Sequence, residues 1–245
     1  NGYMPVTLSF TLIGDSGCVN DIAKELLDTH SQAYHDGYAV PMWYYFVEGT
    51  VPGVYSVNNG GLANIGVING TDPEHLTLAE RAGIQIAVDT ARRLQNSKDP
   101  KVNKVRLLHT GACVGVRETR RIIGEYVITL EDAVHPKEFP DTIARRYGAI
   151  DPAGLNIGKH APMKSGHAFP YRSLLPLGVE NLLVGGRCAS ATQAGQTCGK
   201  SMGNMMELGQ ACGVAAALSA RTGVTPRKLD VSKVQEILRK MGVQL

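Results

Sequence analysis

An α/β fold is predicted for this 245-residue chain by three observations. From Val179 to Gly186 the run VENLLVGG sets three apolar residues before a glycine pair, the pattern of a strand buried on both faces whose end admits a ligand. Asn181 is its turn residue. A Gly/Ala-rich segment with helical spacing follows, from about Ser201 to Arg221. Strand-like runs separated by turn residues fill the first hundred residues. The pattern predicts two parts: a portion of an antiparallel-sheet domain over 1–100, and over 101–245 the C-terminal part of an incomplete α/β domain, with a loop insertion at about 131–168.

In chain order, VTLSFTLI and MWYYFV read as strands, with turns at Gly14, Asp36-Gly37, Pro52-Gly53 and Asn58 to Gly61. Of the aromatic run Trp43 to Phe46, one ring face is predicted to enter the core. Asp72-Pro73 starts a helix whose inner stripe is Leu76, Ala79, Ile84, Ala87, Val88, Ala91 and Leu94, ending near Asn96. Arg92, Arg93 and Lys98 suit the negative end of its dipole. Lys101 to Thr129 reads as strand, loop and strand. Between His135 and Pro170 the chain is rich in Pro, Gly and His and reads as irregular loop. A strand at 182–186, the helix at 201–221 and an amphipathic helix over 231–240, with Val234, Ile237 and Leu238 inward, complete the order. No internal repeat or low-complexity tract occurs.

Composition excludes several classes. At 43% hydrophobic residues the chain can bury a substantial core, and 28 glycines predict tight turns and close backbone approaches. The net charge is +3 and the basic residues are scattered, which argues against nucleic-acid and membrane-surface partners. No apolar stretch has membrane-spanning length, and the first nine residues lack a targeting pattern. Five cysteines without CxxC spacing argue against a disulfide framework and a zinc site; no metal is predicted, and a reducing cytoplasm fits best. Cys113, Cys188 and Cys212 read as small buried hydrophobes; Cys198, in the Gly-rich loop, stands apart.

Three blocks carry a resemblance: GVRETRRIIGEYVIT from Gly115, FPYRSLLPLGVENLLVGGR from Phe169 and MELGQACGVAAAL from Met206. In order and spacing they resemble the C-terminal half of FAD-dependent oxidoreductases of the two-dinucleotide-binding-domain flavoprotein group, relatives of the succinate dehydrogenase and fumarate reductase flavoproteins. The resemblance implies an incomplete Rossmann-like FAD-binding domain with part of an antiparallel-sheet substrate domain. It also implies FAD as cofactor and hydride transfer between a small organic substrate and flavin N5. The family opens with a GxGxxG turn that holds the pyrophosphate, and no GxGxxG occurs in these residues. A companion chain carrying that N-terminal half is therefore expected, from processing or a split gene; a shortened chain is the alternative.

Gly185 and Gly186 would let the flavin approach the strand end, Arg187 would contact ribityl or phosphate oxygens, and the segment Gln196, Thr197, Lys200, Ser201 and Met202 would point amide donors and a positive helix end at the pyrimidine edge. Along that helix Gly209, Gly213 and Ala217 recur every four residues and leave one face nearly bare; tight helix packing is the plainer reading. Against the family pattern, Gln193 stands where His is common and Lys200 where Arg is common, which removes an imidazole and a guanidinium fork. AGQTCGKS nearly spells a P-loop, but it is displaced from its strand, so an NTPase is the weaker reading. His109, Arg117, Tyr171 and Arg172 are the catalytic candidates, cations to polarise the substrate and His109 or Tyr171 to exchange its proton. The alternatives are ion pairs of Arg117 or Arg120 with Glu118, Glu125 or Glu131, a Tyr171 packed in an interface, and an Arg172 held on a carboxylate; Arg121 is assigned to structure. His160 and His167 are further acid-base candidates. A binding or scaffolding subunit with a vestigial flavin site is the competing class.

Overall fold

The computed structural model describes residues 6–62, 65–147, 166–197 and 200–245, and the chain divides into two compact units, Asn1–Thr119 and Arg120–Leu245. Both mix helix with antiparallel sheet, so the fold class is α/β.

The first unit runs β1 (Phe10–Ile13), α1 (Val19–His35), β2 (Pro41–Glu48), β3 (Val54–Leu62), α2 (Pro73–Gln95) and β4 (Arg106–Thr110). Its sheet has the order β2-β3-β1-β4, each neighbour antiparallel, with Phe10 opposite both Val57 and Thr110. Alternation sends Phe10, Leu12, Tyr55 and Val57 into a core shared with Ile22 and Leu26 of α1 and Ile86 and Leu94 of α2. The aromatic run divides as its period demands: Tyr44 and Phe46 stack at 5.3 Å against that core and Tyr45 is exposed. The side chain of Trp43 lies outside the described residues.

Several expectations for this part are corrected. The helix α1 stands where only sheet and turns are predicted, because its buried residues Ile22, Leu26 and Ala33 make a sparse stripe between two turn signals. Asn58 to Gly61 lies inside β3 and makes no turn; Asn59 is paired with Tyr44. In α2 the cap is as expected, Asp72 accepting from the backbone of Glu74 and His75 at 3.0 and 3.3 Å, but Ile86 is buried and Ile84 exposed. The strand at 106–110 forms and pairs with β1, which places it in the sheet of the first unit. No second strand forms over 111–129; that stretch makes single bridges, Gly115 to Thr7, Gly124 to Pro176 and Ile128 to Ala191.

The second unit comprises α3 (Leu130–Val134), β5 (Thr142–Arg146), β6 (His167–Pro170), a 3-10 turn (Tyr171–Leu174), α4 (Gln193–Thr197), α5 (Met202–Thr222), a 3-10 turn (Pro226–Lys228) and α6 (Val231–Lys240). Within the loop expected over 135–170, residues 142–146 and 167–170 instead form β5 and β6, which pair antiparallel with Arg146 opposite His167, and 148–165 lies outside the described residues. Paired arginines and a histidine hide the alternation of such short strands. Both late helices form as predicted, α5 ending in Gly223 at φ 69 and α6 capped by Asp230. Ile143, Phe169, Leu174, Leu208, Ala211, Val234 and Leu238 make the core. The strand expected at 182–186 does not form: Asn181 turns at φ 56 as predicted, but 182–184 is extended without a ladder, held by Val184 N–H donating to the Leu174 carbonyl at 2.9 Å. A parallel strand takes its ladder from neighbours, and none among the described residues lies beside it.

Candidate functional site

The segment from Gly185 to Met202 lies in the second unit against α5. Gly185 rests on that helix so closely that a Cβ there would stand 2.7 Å from the Cys212 Sγ and 3.3 Å from the Leu208 carbonyl oxygen; glycine is what the contact requires. Gly186 follows with φ 89 and open space where a side chain would be, and its carbonyl accepts from Ala189 N–H at 3.1 Å, closing a turn. Arg187 is exposed on this turn, its Nε 3.5 Å from the Lys200 carbonyl oxygen.

Gln196 ties the loop together. Its Nε2 donates to the Arg187 carbonyl at 2.7 Å, and the side chain is fully buried with Oε1 lacking a hydrogen-bond partner. The Gln193 Nε2 is likewise buried without an acceptor. Unsatisfied buried amide groups are costly, and these two lie in one loop. Lys200 is nearly buried and engaged. α5 then begins: Ser201 is its N-cap but makes no side-chain capping bond, the first turn carries no acidic residue, and Met202 is exposed. Ser201 thus leaves its own capping position unused at the positive end of a 21-residue helix. The side chain of Thr197 and the residue Cys198 lie outside the described residues.

The bare face of α5 is not the one packed within the unit. Asn204, Leu208, Ala211, Ala215 and Ser219 are buried, whereas Gly209, Gly213 and Ala217 are exposed. A cleft of about 680 Å³ runs between 181–183 and the later half of α5, from Cys212 to Gly223.

The four catalytic candidates divide between the units. His109 is exposed on β4, with Nδ1 3.2 Å from the Thr110 carbonyl oxygen, and Arg117 is half-buried and engaged; both belong to the first unit. Tyr171 and Arg172 belong to the second and point apart. The Tyr171 hydroxyl is buried and donates to the Pro226 carbonyl at 2.9 Å, and burial pushes its pKa upward. Arg172 grips Asp141 through two nitrogens, at 2.9 and 3.1 Å, and lies over the Tyr126 ring. The carboxylate-held arginine is thus the arrangement found. Glu125 pairs with Arg227 and Glu131 approaches His135 at 3.8 Å, while Arg121 donates to the Ala191 carbonyl at 2.9 Å, a structural tie.

His160 lies outside the described residues. His167 is fully buried with neither ring nitrogen hydrogen-bonded; burial first, and then the adjacent Arg146 charge, lower its pKa to about 4. Arg146 itself is fully buried, engaged, and stacked 4.4 Å over Phe169. Sequence reasoning missed Arg146, for an arginine in a short hairpin carries no signal of burial. Gln196 was legible as a site residue, but its role in fastening Arg187 comes only from the fold. Among the described residues no cluster of three or more His, Cys, Asp or Glu could hold a metal ion.

Among known protein families, the one described as FAD dependent oxidoreductase has a model that matches residues 17–238. No curated protein and no solved structure matches.

Proposed function

The chain belongs to the FAD dependent oxidoreductase family, and from that premise we propose that it takes part in hydride transfer between a small organic substrate and FAD, the loop from Gly185 to Met202 holding part of the cofactor. Membership makes FAD the cofactor and flavin-dependent redox chemistry the function. When bound, FAD supplies a two-electron acceptor and donor.

One observation carries the assignment of the site: a glycine turn with open space, a buried amide oxygen without a partner among the described residues, and the N-terminus of a 21-residue helix occur in one short stretch. In this reading Gly185 and Gly186 admit the cofactor to the backbone. Arg187, held at its carbonyl by Gln196, offers its guanidinium to phosphate or ribityl oxygens, and the amides after Ser201 accept negative charge. Exposed His109 is the group proposed to exchange a proton with substrate, and Arg117 the cation proposed to orient it. Tyr171 and Arg172 we assign to structure, since their polar groups are already bonded.

A polypeptide carrying GxGxxG is proposed to complete the site, since these residues contain none and the exposed Gly209, Gly213, Ala217 face of α5 is suited to close backbone approach. No helix among the described residues is long and apolar enough to cross a membrane. Five cysteines, an odd number without CxxC spacing, support a reducing cytoplasm as the place of work. The absorption spectrum of the purified protein tests the core of this reading. A flavin band that fades when substrate is added is expected. In Arg187→Ala flavin occupancy should fall, with thermal stability unchanged because the side chain is exposed; full occupancy in the variant overturns the role of Arg187.

A further inference from the structure

Two of the five cysteines converge on one peptide unit although they come from different elements. Cys188, on the turn after Gly186, is exposed, and its Sγ lies 3.6 Å from the Gly185 carbonyl oxygen. Cys212, in the middle of α5, is half-buried, and its Sγ is the atom that a Cβ on Gly185 would meet at 2.7 Å. One sulfur touches the carbonyl side of Gly185 and the other its Cα side. The interaction is felt in the Cys212 thiol, which burial first and the neighbouring Cys188 second push up to about 11. Cys212 also lines the cleft beside 181–183, so small solutes can reach it.

We propose that Cys188 and Cys212 form a redox-responsive pair, closing to a reversible disulfide that ties the turn bearing Arg187 to α5.

The chemistry assigns each sulfur a step. Exposed Cys188 meets the oxidant, a hydroperoxide; its thiolate takes one peroxide oxygen to become a sulfenic acid, and the other leaves as hydroxide. Cys212 then releases its proton, its sulfur attacks the sulfenic sulfur, the S–S bond forms, the S–O bond breaks, and hydroxide leaves with that proton as water. The two electrons lost by the thiols have reduced the peroxide. Because Cys212 holds its proton well above neutral pH, loss of that proton is part of the barrier to the second step. A disulfide needs its Cα atoms within roughly 7 Å and a fixed torsion. The turn has the freedom to adjust, since Gly186 sits at φ 89 with nothing within 4 Å of its Cβ position. Cys18 and Cys113 belong to the first unit and play no part. Once closed, the bond would clamp Arg187 and slow exchange of bound FAD; that consequence rests on the proposed function, whereas the pair does not.

The test treats the full chain with hydrogen peroxide, alkylates the remaining thiols and maps peptides without reduction. Expected are loss of two hydrogens from the intact mass, loss of two alkylation sites, a peptide joining Cys188 to Cys212, and reversal by dithiothreitol. In Cys212→Ser the sulfenic acid at Cys188 should persist and be trapped by dimedone; in Cys188→Ser Cys212 should stay unoxidised. A crosslink from Cys188 to Cys198, or overoxidised Cys188 with no crosslink, overturns the pair. In flavin-bearing protein the oxidised form should release FAD severalfold more slowly than the reduced form, and an equal rate overturns the clamp. A Cys188 to Cys212 crosslink in protein that binds no flavin would leave the pair standing and sink the reading of the site.

Discussion

Gly185 and His167 show how far single positions constrain this chain. At Gly185 even a methyl group collides with a sulfur and approaches a carbonyl. Gly185→Ala should cost about 1–3 kcal/mol by overpacking, and Cys212→Ala in the same chain should recover part of the loss by removing the sulfur. Thermal unfolding of the two single variants and the double variant checks this; simple additivity of the two changes would overturn the contact. At His167 the folded pKa lies near 4, below the ordinary 6.5, so between those values the unfolded chain binds more protons than the folded one. Stability is then full above pH 6.5 and declines as pH falls toward 4, by a total on the order of 3 kcal/mol. His167→Leu should flatten that part of the pH profile. A slope unchanged between wild type and variant would assign the acid sensitivity to other groups.

At the scale of elements, caps and periodicity set where helices stand, and partners set whether strands exist. The start of α2 is local: Asp72 satisfies two backbone donors and Pro73 fits the first helical position. Asp72→Ala should lower stability by about 1 kcal/mol, read as a drop in melting temperature. An unchanged melting temperature would mean that the packing of Leu76 and Ala79 alone fixes that helix end. The same logic explains the reading of 182–186. Its apolar run and glycine pair were legible, yet a strand is defined by its ladder, and 182–184 keeps an extended path without one. Conversely β5 and β6 were not legible, since hairpin pairing of Arg146 with His167 opposes residues that propensity assigns to surface.

For the whole molecule, the proposal that a sequence bearing GxGxxG completes the flavin site is open to direct test. Native mass spectrometry of protein from its natural source should show a companion sequence bearing GxGxxG, either as a second polypeptide or joined to this one. A flavin-loaded, active assembly built only from these 245 residues would falsify the proposal. His109 and Arg117 belong to the first unit and the proposed flavin-site loop to the second, so the proposed duties of the two residues toward substrate are tested apart from cofactor binding. His109→Gln and Arg117→Gln should slow flavin reduction by substrate far more than they change FAD retention, and a wild-type rate in both variants places the chemistry elsewhere.

The sequence by itself determined what local rules can write. It carried the ends of α2, α5 and α6, the turn at Asn181 and, through three ordered blocks, the family and its cofactor. These follow from caps, period and backbone permissiveness, which act within a few residues. The fold alone decided what depends on distant partners. It turned Arg172 to Asp141 and Tyr171 to Pro226, buried Arg146 and His167 in one hairpin, joined β4 to β1, and brought Cys188 and Cys212 to the same glycine. A polar side chain has the same sequence signature whether it faces substrate or closes a hydrogen bond in the core, and only the position of its partner tells the two apart.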